Sequence, residues 1–268
     1  MNKKAHEIGA TSSTFTDASG LHFIGSATTA CDMLQILIHA AGIPQIAEKW
    51  NKDRYEMKVL GRNARTELLL TSVTSCEYDE SKWPIIGGKT GTITVKGSVS
   101  YNLAWITTVG DTEIACVLMG DTTDVHRWQD AEMINRYLEE TSNGELKELH
   151  IHAPQCAVTR LPAHPIMYDN YTFALLASRS PLSEGIPASL TKLMTLITAY
   201  DYISDENEMV RIISSDLIGG SGSNLKAGDI VSIRDLVYDM LLPSSNCAAK
   251  ALARHIGNKI LIARKNGI

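Results

Sequence analysis

Pro187-Ala188-Ser189-Leu190-Thr191-Lys192-Leu193-Met194-Thr195 reads as the opening of a buried helix. Leu190, Leu193, Met194 and Ile197 recur at three- and four-residue steps and make one apolar face. Pro187 stands just ahead of the first turn, where a missing N–H does little harm. Ser189 and Lys192 are one turn apart, on neighbouring parts of the same face. A hydroxyl at a helix N-terminus beside an amine has the makings of a nucleophile and a base, provided burial or cationic neighbours lower the amine's pKa. The free N–H groups of the first turn face developing negative charge. The same residues read equally well as an N-cap Ser followed by a solvated Lys. A second Ser-x-x-Lys, Ser223 to Lys226, lies among Gly219, Gly220, Gly222 and Gly228 and reads as a loop.

The bulk composition narrows the surroundings of that helix. With 268 residues, 44% hydrophobic and 21% charged, the chain has ordinary globular composition, enough for one large domain or two small ones. A net charge of −5 argues against a general polyanion-binding surface, so no nucleic-acid partner is expected. No apolar run approaches the roughly 18 residues of a membrane span. Met1-Asn2-Lys3-Lys4-Ala5-His6-Glu7 has no apolar stretch behind its lysines, so no secretory signal is expected there. Cys31, Cys76, Cys116, Cys156 and Cys247 form no C-x-x-C pair and read as free thiols. Neither a metal nor a cofactor is expected.

In chain order, residues 2–8 predict a short helix ended by Gly9, and 11–21 a polar loop. A helix begins near Thr28, with Met33, Leu34, Leu37 and Ile38 inward, and stops at Gly42 and Pro44. Residues 45–80 give no clear pattern. Residues 85–95 predict a glycine-interrupted strand, which lets another group approach the backbone closely. Residues 102–109 and 113–119 predict two more strands about a turn at Gly110-Asp111. A helix is expected over 126–140, then a polar connector from Thr141 to Lys147. Residues 157–171 predict a broken strand. The Ser189 helix runs to about Ser204, followed by a short strand at 210–213 and a Gly/Ser-rich loop at 214–229. Two helices, 232–242 and 247–256, flank the break Pro243-Ser244-Ser245-Asn246.

Two further motifs carry chemistry. Ser244-Ser245-Asn246 puts a hydroxyl and an amide between two helices, where a loop can aim both into a cleft; it also reads as an N-cap. Lys89-Thr90-Gly91 offers a cation, a hydroxyl and a residue without a side chain on one strand, although lysine also commonly guards an exposed edge. Together with Ser189-x-x-Lys192, these motifs resemble those of the penicillin-recognising serine enzymes. Their context, Ile186 to Thr195, Asn224-Leu225-Lys226-Ala227-Gly228-Asp229 and Ser244 to Ala249, is similar to the D-alanyl-D-alanine carboxypeptidases. Residues 2–9, Thr14-Phe15, Gly20-Leu21, Ala30 to Met33, Gly88 to Thr92 and Asn102-Leu103-Ala104 extend the resemblance over most of the chain.

The motif order departs from that family, which runs Ser-x-x-Lys, Ser-x-Asn, Lys-Thr-Gly. Here Lys89 comes first. Joining Ile268 to Met1 restores the order, so the chain reads as a circular permutant. Residues 1–140 carry the Lys-Thr-Gly half, 141–149 connect, and 150–268 carry the other two motifs. The whole, 1–268, is expected to be one transpeptidase-like domain, since domain termini often lie close together. The resemblance implies an α+β fold of the β-lactamase/transpeptidase type, with a central antiparallel sheet flanked by helices. It implies catalysis by Ser189 as nucleophile, Lys192 as base and Ser244 as proton relay tuned by Lys89. Asn246, Thr90, Gly91 and Thr92 would line the substrate, and the N–H groups of Ser189 and Thr92 would form the oxyanion hole.

The implied substrate is the D-Ala-D-Ala end of a peptidoglycan stem peptide, the implied inhibitors are β-lactams, and the implied location is extracytoplasmic. A β-lactamase would need a deacylating Glu; the corresponding region, 11–21, holds Asp17 but no Glu, and Asp17 reads as a turn cap or a replacement base. The alternatives are a non-catalytic penicillin- or peptide-binding protein of the same fold, or a β-lactamase. A domain-swapped dimer exchanging the two halves is a further expectation.

Overall fold

The computed structural model describes residues 1–22, 24–142, 149–161, 175–222 and 224–265. Most of the 141–149 connector, the second part of the 157–171 segment and Ser223 lie outside the described residues. The chain opens with α1 (Asn2–Glu7), α2 (Ala30–Ala41) and α3 (Pro44–Trp50). Thr29 caps α2 by accepting from the Asp32 N–H, and Pro44 opens α3 at the position that tolerates proline. Two strands absent from the sequence reading follow, β1 (Arg54–Gly61) and β2 (Arg65–Leu70). Next come β3 (Ile85–Val95), β4 (Ser98–Val109) and β5 (Thr112–Asp121), then α4 (Asp124–Ser142).

Past the connector run β6 (Gln155–Arg160) and β7 (Leu175–Arg179), a 3₁₀ turn (Ala188–Leu190) and α5 (Thr191–Tyr200). The last elements are β8 (Met209–Arg211), β9 (Asp229–Ser232), α6 (Ile233–Leu241) and α7 (Asn246–Lys265). The expected helix from Ser189 to Ser204 is therefore shorter, and its first turn is 3₁₀. The expected 247–256 helix is longer, because Gly257 is carried inside α7.

The central sheet is antiparallel in the order β3-β4-β5-β6-β7. Its strands alternate between two cores, as the period of two demands. Leu103 and Trp105 with Cys116, Leu118, Cys156 and Val158 face α4, whose Trp128, Ala131 and Ile134 complete that core. Ala104 and Ile106 with Ala115, Val117, Met119 and Ala157 face the opposite layer, built from α2, α5, α6 and α7. Side chains such as Leu34 and Leu193 are fully buried there, each contributing about 2 kcal/mol. The architecture is α+β, a sheet between helical layers.

A smaller antiparallel sheet has the order β2-β1-β9-β8. Both sheets join strands from the two halves of the chain, through the β5–β6 pair and the β1–β9 pair. No helix among the described residues is long and apolar enough to cross a membrane.

Candidate active site

The 3₁₀ turn and first turn of α5 place Ser189 at the sheet, half-buried, with Lys192 wholly buried beneath it. Lys192 Nζ lies 2.8 Å from Ser189 Oγ. It donates to the Ser19 carbonyl at 2.8 Å and to Asn246 Oδ1 at 2.7 Å. Asn246 Nδ2 donates to the Gly219 carbonyl at 3.0 Å, which fixes which end of the amide faces the lysine. Both acceptors of Lys192 are carbonyl oxygens with no proton to return. A neutral amine has two N–H groups, so its lone pair is left for the Ser189 hydroxyl. Burial lowers the Lys192 pKa to about 7, against the pull of Asp17 and Asp239, which favour the charged form. Near neutrality the amine is thus available as a base.

The second pair is built across the chain. Lys89 Nζ, on β3, donates to Ser244 Oγ at 2.7 Å and to the Thr90 carbonyl at 2.9 Å. Lys89 is fully buried rather than an edge guard. Burial pushes its pKa well down, and the charges of Lys192 and Arg127 add to that. Gly91 is what lets β3 reach the Ser189 turn: a Cβ there would stand 3.1 Å from the Pro187 carbonyl and 3.3 Å from the Leu190 N. Thr90 is buried and exchanges a hydrogen bond with Ser72 at 2.9 Å, whereas Thr92 is exposed at the next outward position. The structure therefore brings Ser189, Lys192, Ser244, Asn246 and the Lys89–Thr92 strand to one place. Ala188 and Ser244, next to or within the two pairs, hold positive φ angles of 49° and 64°. Each costs on the order of 1 kcal/mol or more in a residue with a Cβ, and such strain concentrates where side chains are aimed.

Residues 153–259 match the family model described as D-alanyl-D-alanine carboxypeptidase. The match spans Ser189, Lys192, Ser244 and Asn246; Lys89 and its strand lie outside it. No curated protein and no solved structure matches the chain. The matched segment thus supplies one wall of the site, and β3 supplies the other.

Several residues of this site escaped the sequence reading. Asn102 on β4 donates to the Ile186 carbonyl at 2.8 Å and to that of Pro187 at 3.2 Å, and accepts from the Gly120 N–H at 2.9 Å. It ties the sheet to the segment that leads into Ser189. Arg127, on α4, places its guanidinium 3.4 Å from Thr92 Oγ1 and from the Gly91 carbonyl, and pairs with Asp124. Ser19 acts through its backbone carbonyl, for which no residue type is a signal. Arg127 had a weak one: a cation at the start of a helix, where the macrodipole disfavours it, sits there for some other reason.

Proposed function

We propose that the chain is a serine-type D-alanyl-D-alanine carboxypeptidase that works through an acyl-enzyme on peptidoglycan stem peptides and is covalently trapped by penicillins. The observation that carries this reading is the Lys192 amine set 2.8 Å from Ser189 Oγ, with both of its N–H groups engaged elsewhere. Ser189 Oγ attacks the carbonyl of the penultimate D-Ala while its proton passes to Lys192. A C–O bond forms and a tetrahedral oxyanion develops, held by the N–H groups of Ser189 and Thr92; losing one such donor costs roughly 3 kcal/mol of barrier. The C–N bond then breaks as Lys192 passes the proton it took through Ser244 to the departing D-Ala amine, with Lys89 holding Ser244 in place. In deacylation the neutral Lys192 takes a proton from water as its oxygen adds to the ester carbonyl, and returns it to Ser189 Oγ as the ester C–O bond breaks. Asn246 binds the peptide backbone, and Thr90 and Thr92, with the Arg127 guanidinium behind, meet the terminal carboxylate.

Asp17 bears on the choice between carboxypeptidase and β-lactamase. Its carboxylate accepts from the N–H groups of Ser19, Gly20 and His22. Oxygens so engaged cannot activate a deacylating water, which supports slow release of penicillin. The motif order supports a circular permutant of the family forming one catalytic unit, with β5–β6 pairing joining the halves within one chain. In a swapped dimer the same pairs would form between two copies; light scattering of purified protein distinguishes the two. The substrate class places the enzyme outside the cytoplasmic membrane.

Mass spectrometry after incubation with benzylpenicillin tests the reading. A mass increase of one penicillin on the Ser189 peptide, absent in Ser189→Ala and Lys192→Ala, is expected, together with D-alanine release from a D-Ala-D-Ala peptide. Folded protein without any adduct overturns it; an adduct without D-alanine release points to a binding protein instead.

A further inference from the structure

The loop that touches the nucleophile turn from the outside is held by one carboxylate. Reciprocal backbone bonds between Thr14 and Ala27 pinch the loop at its base. Three consecutive residues then lie along the start of α5. The Ala18 carbonyl accepts from Thr195 Oγ1 at 2.8 Å, and the Ser19 carbonyl accepts from Lys192 Nζ at 2.8 Å. Gly20, at φ +79°, packs so closely that a Cβ there would overlap the Ala188 carbonyl. What folds these residues into a turn is Asp17. One carboxylate oxygen accepts from the Ser19 N–H at 3.1 Å and the Gly20 N–H at 2.6 Å. The other accepts from the His22 N–H at 3.0 Å and from Ser19 Oγ at 3.1 Å, with the exposed His22 ring beside it.

We propose that Asp17 is a positioning residue of the acylation step: it folds the turn that holds the Ser19 carbonyl on Lys192, and so aims the Lys192 lone pair at Ser189. The proposal rests on the reading of Ser189 as nucleophile and Lys192 as base. Without Asp17, four donors lose their acceptor, the turn relaxes, and one of the two oxygens that orient the amine moves. Asp17 acts on the same amine a second way. Burial pushes its carboxyl up, but the His22 and Gly20 N–H groups outweigh that and hold it below the usual carboxylate range, so it carries full charge wherever the enzyme works. That charge faces Lys192 from the loop, as Asp239 does from α6, while the Lys89 amine, itself driven toward its neutral form, faces it from β3. Removing it makes Lys192 easier to deprotonate.

The test is the rate of acylation by a fluorescent penicillin as a function of pH, for the full chain and for Asp17→Asn, Asp17→Ala and His22→Gln. Asp17→Asn keeps one carbonyl oxygen for Ser19 and Gly20 but loses the charge; its acid limb is expected at lower pH than that of the parent. Asp17→Ala loses the turn as well, and acylation is expected to slow by about tenfold or more, the scale of a misplacement of about 1 Å. His22→Gln is expected to keep the parent's acid limb. A role confined to stability lowers the melting temperatures and leaves the limb in place. That result in folded Asp17→Asn overturns the proposal, and so does a limb moved equally by His22→Gln. Should Asp17→Ala not fold, Asp17→Asn alone decides. No acylation of the parent chain overturns the functional reading itself; acylation of the parent with unaltered profiles in the variants overturns only this one.

Discussion

The molecule buries two lysines within one cleft and surrounds them differently. Lys192 stands one turn from its serine, where the 3₁₀ turn runs into α5, bound to two carbonyl oxygens and facing two carboxylates, Asp17 and Asp239. Lys89 meets its serine from another element altogether, 155 positions away in sequence, and its charged neighbours are the cations Lys192 and Arg127. Burial depresses both. The carboxylates keep Lys192 near 7, where a proton can be taken up and given back during turnover. Lys89 has no such counterweight among the charges that act on it, so its surroundings favour the neutral amine. Two identical side chains are thus tuned differently by the sign of the charge around them.

Variants at the two lysines break or sharpen this contrast. Ser189→Ala abolishes covalent labelling, read by intact-protein mass. Lys192→Ala lowers the acylation rate by roughly four orders of magnitude or more, the scale seen when a member of a nucleophile–base unit is removed. In the parent, acylation falls as pH drops through about 7, because protonation of Lys192 removes the base. Lys89→Ala costs less, about 10²- to 10³-fold in turnover of a D-Ala-D-Ala peptide, because the Ser189–Lys192 pair remains intact. Equal losses for the two lysine variants would erase the division of labour.

Gly91→Ala comes next. Its Cβ would press on the Pro187 carbonyl and the Leu190 N, both backbone, so β3 must withdraw from the nucleophile turn. Acylation is expected to slow by about tenfold, with Lys89 still bonded to Ser244.

The contrast also explains how far the sequence could be read. Ser189 and Lys192 belong to one helical turn, so spacing alone brings them together. Leu103 to Ile106 alternate between two cores, and the central strands were legible for the same reason. Lys89, Ser244 and Asn246 were found only because their motifs resemble a family; nothing local predicts that a strand Lys will be wholly buried. The strands β1 and β2 went unseen because Leu60, Leu68 and Leu70 are exposed on them, which spoils the alternation. Gly257 suggested an end to α7, yet its cost of about 1 kcal/mol is overridden by the packing of Ala248, Ala251, Leu252 and Ile256. Asn102 and Ser19 contribute to the site through contacts with backbone, or through their own, and such roles leave no mark on residue type.

A third buried charge shows what both lysines avoid. Asp121, at the end of β5, is 1% exposed, and neither of its carboxylate oxygens has a hydrogen-bond partner among the described residues. Burial and the nearby Asp130 push its pKa up to about 7, while His152 and Arg127 pull the other way. An acid whose pKa is raised by folding binds more protons folded than unfolded between about 4 and about 7, so its contribution to stability declines as pH rises across that window. Asp121→Asn removes the titration while keeping the shape. At pH 8 the variant is expected to melt a few degrees above the parent, and the difference is expected to all but vanish at about pH 3, below the ordinary carboxyl pKa, where Asp121 is largely protonated in both states. Differential scanning calorimetry at the two pH values reads this directly. A variant that melts lower than the parent at pH 8 would mean that the Asp121 charge is held by Arg127 and His152 after all, in the way the two lysines are held by their acceptors.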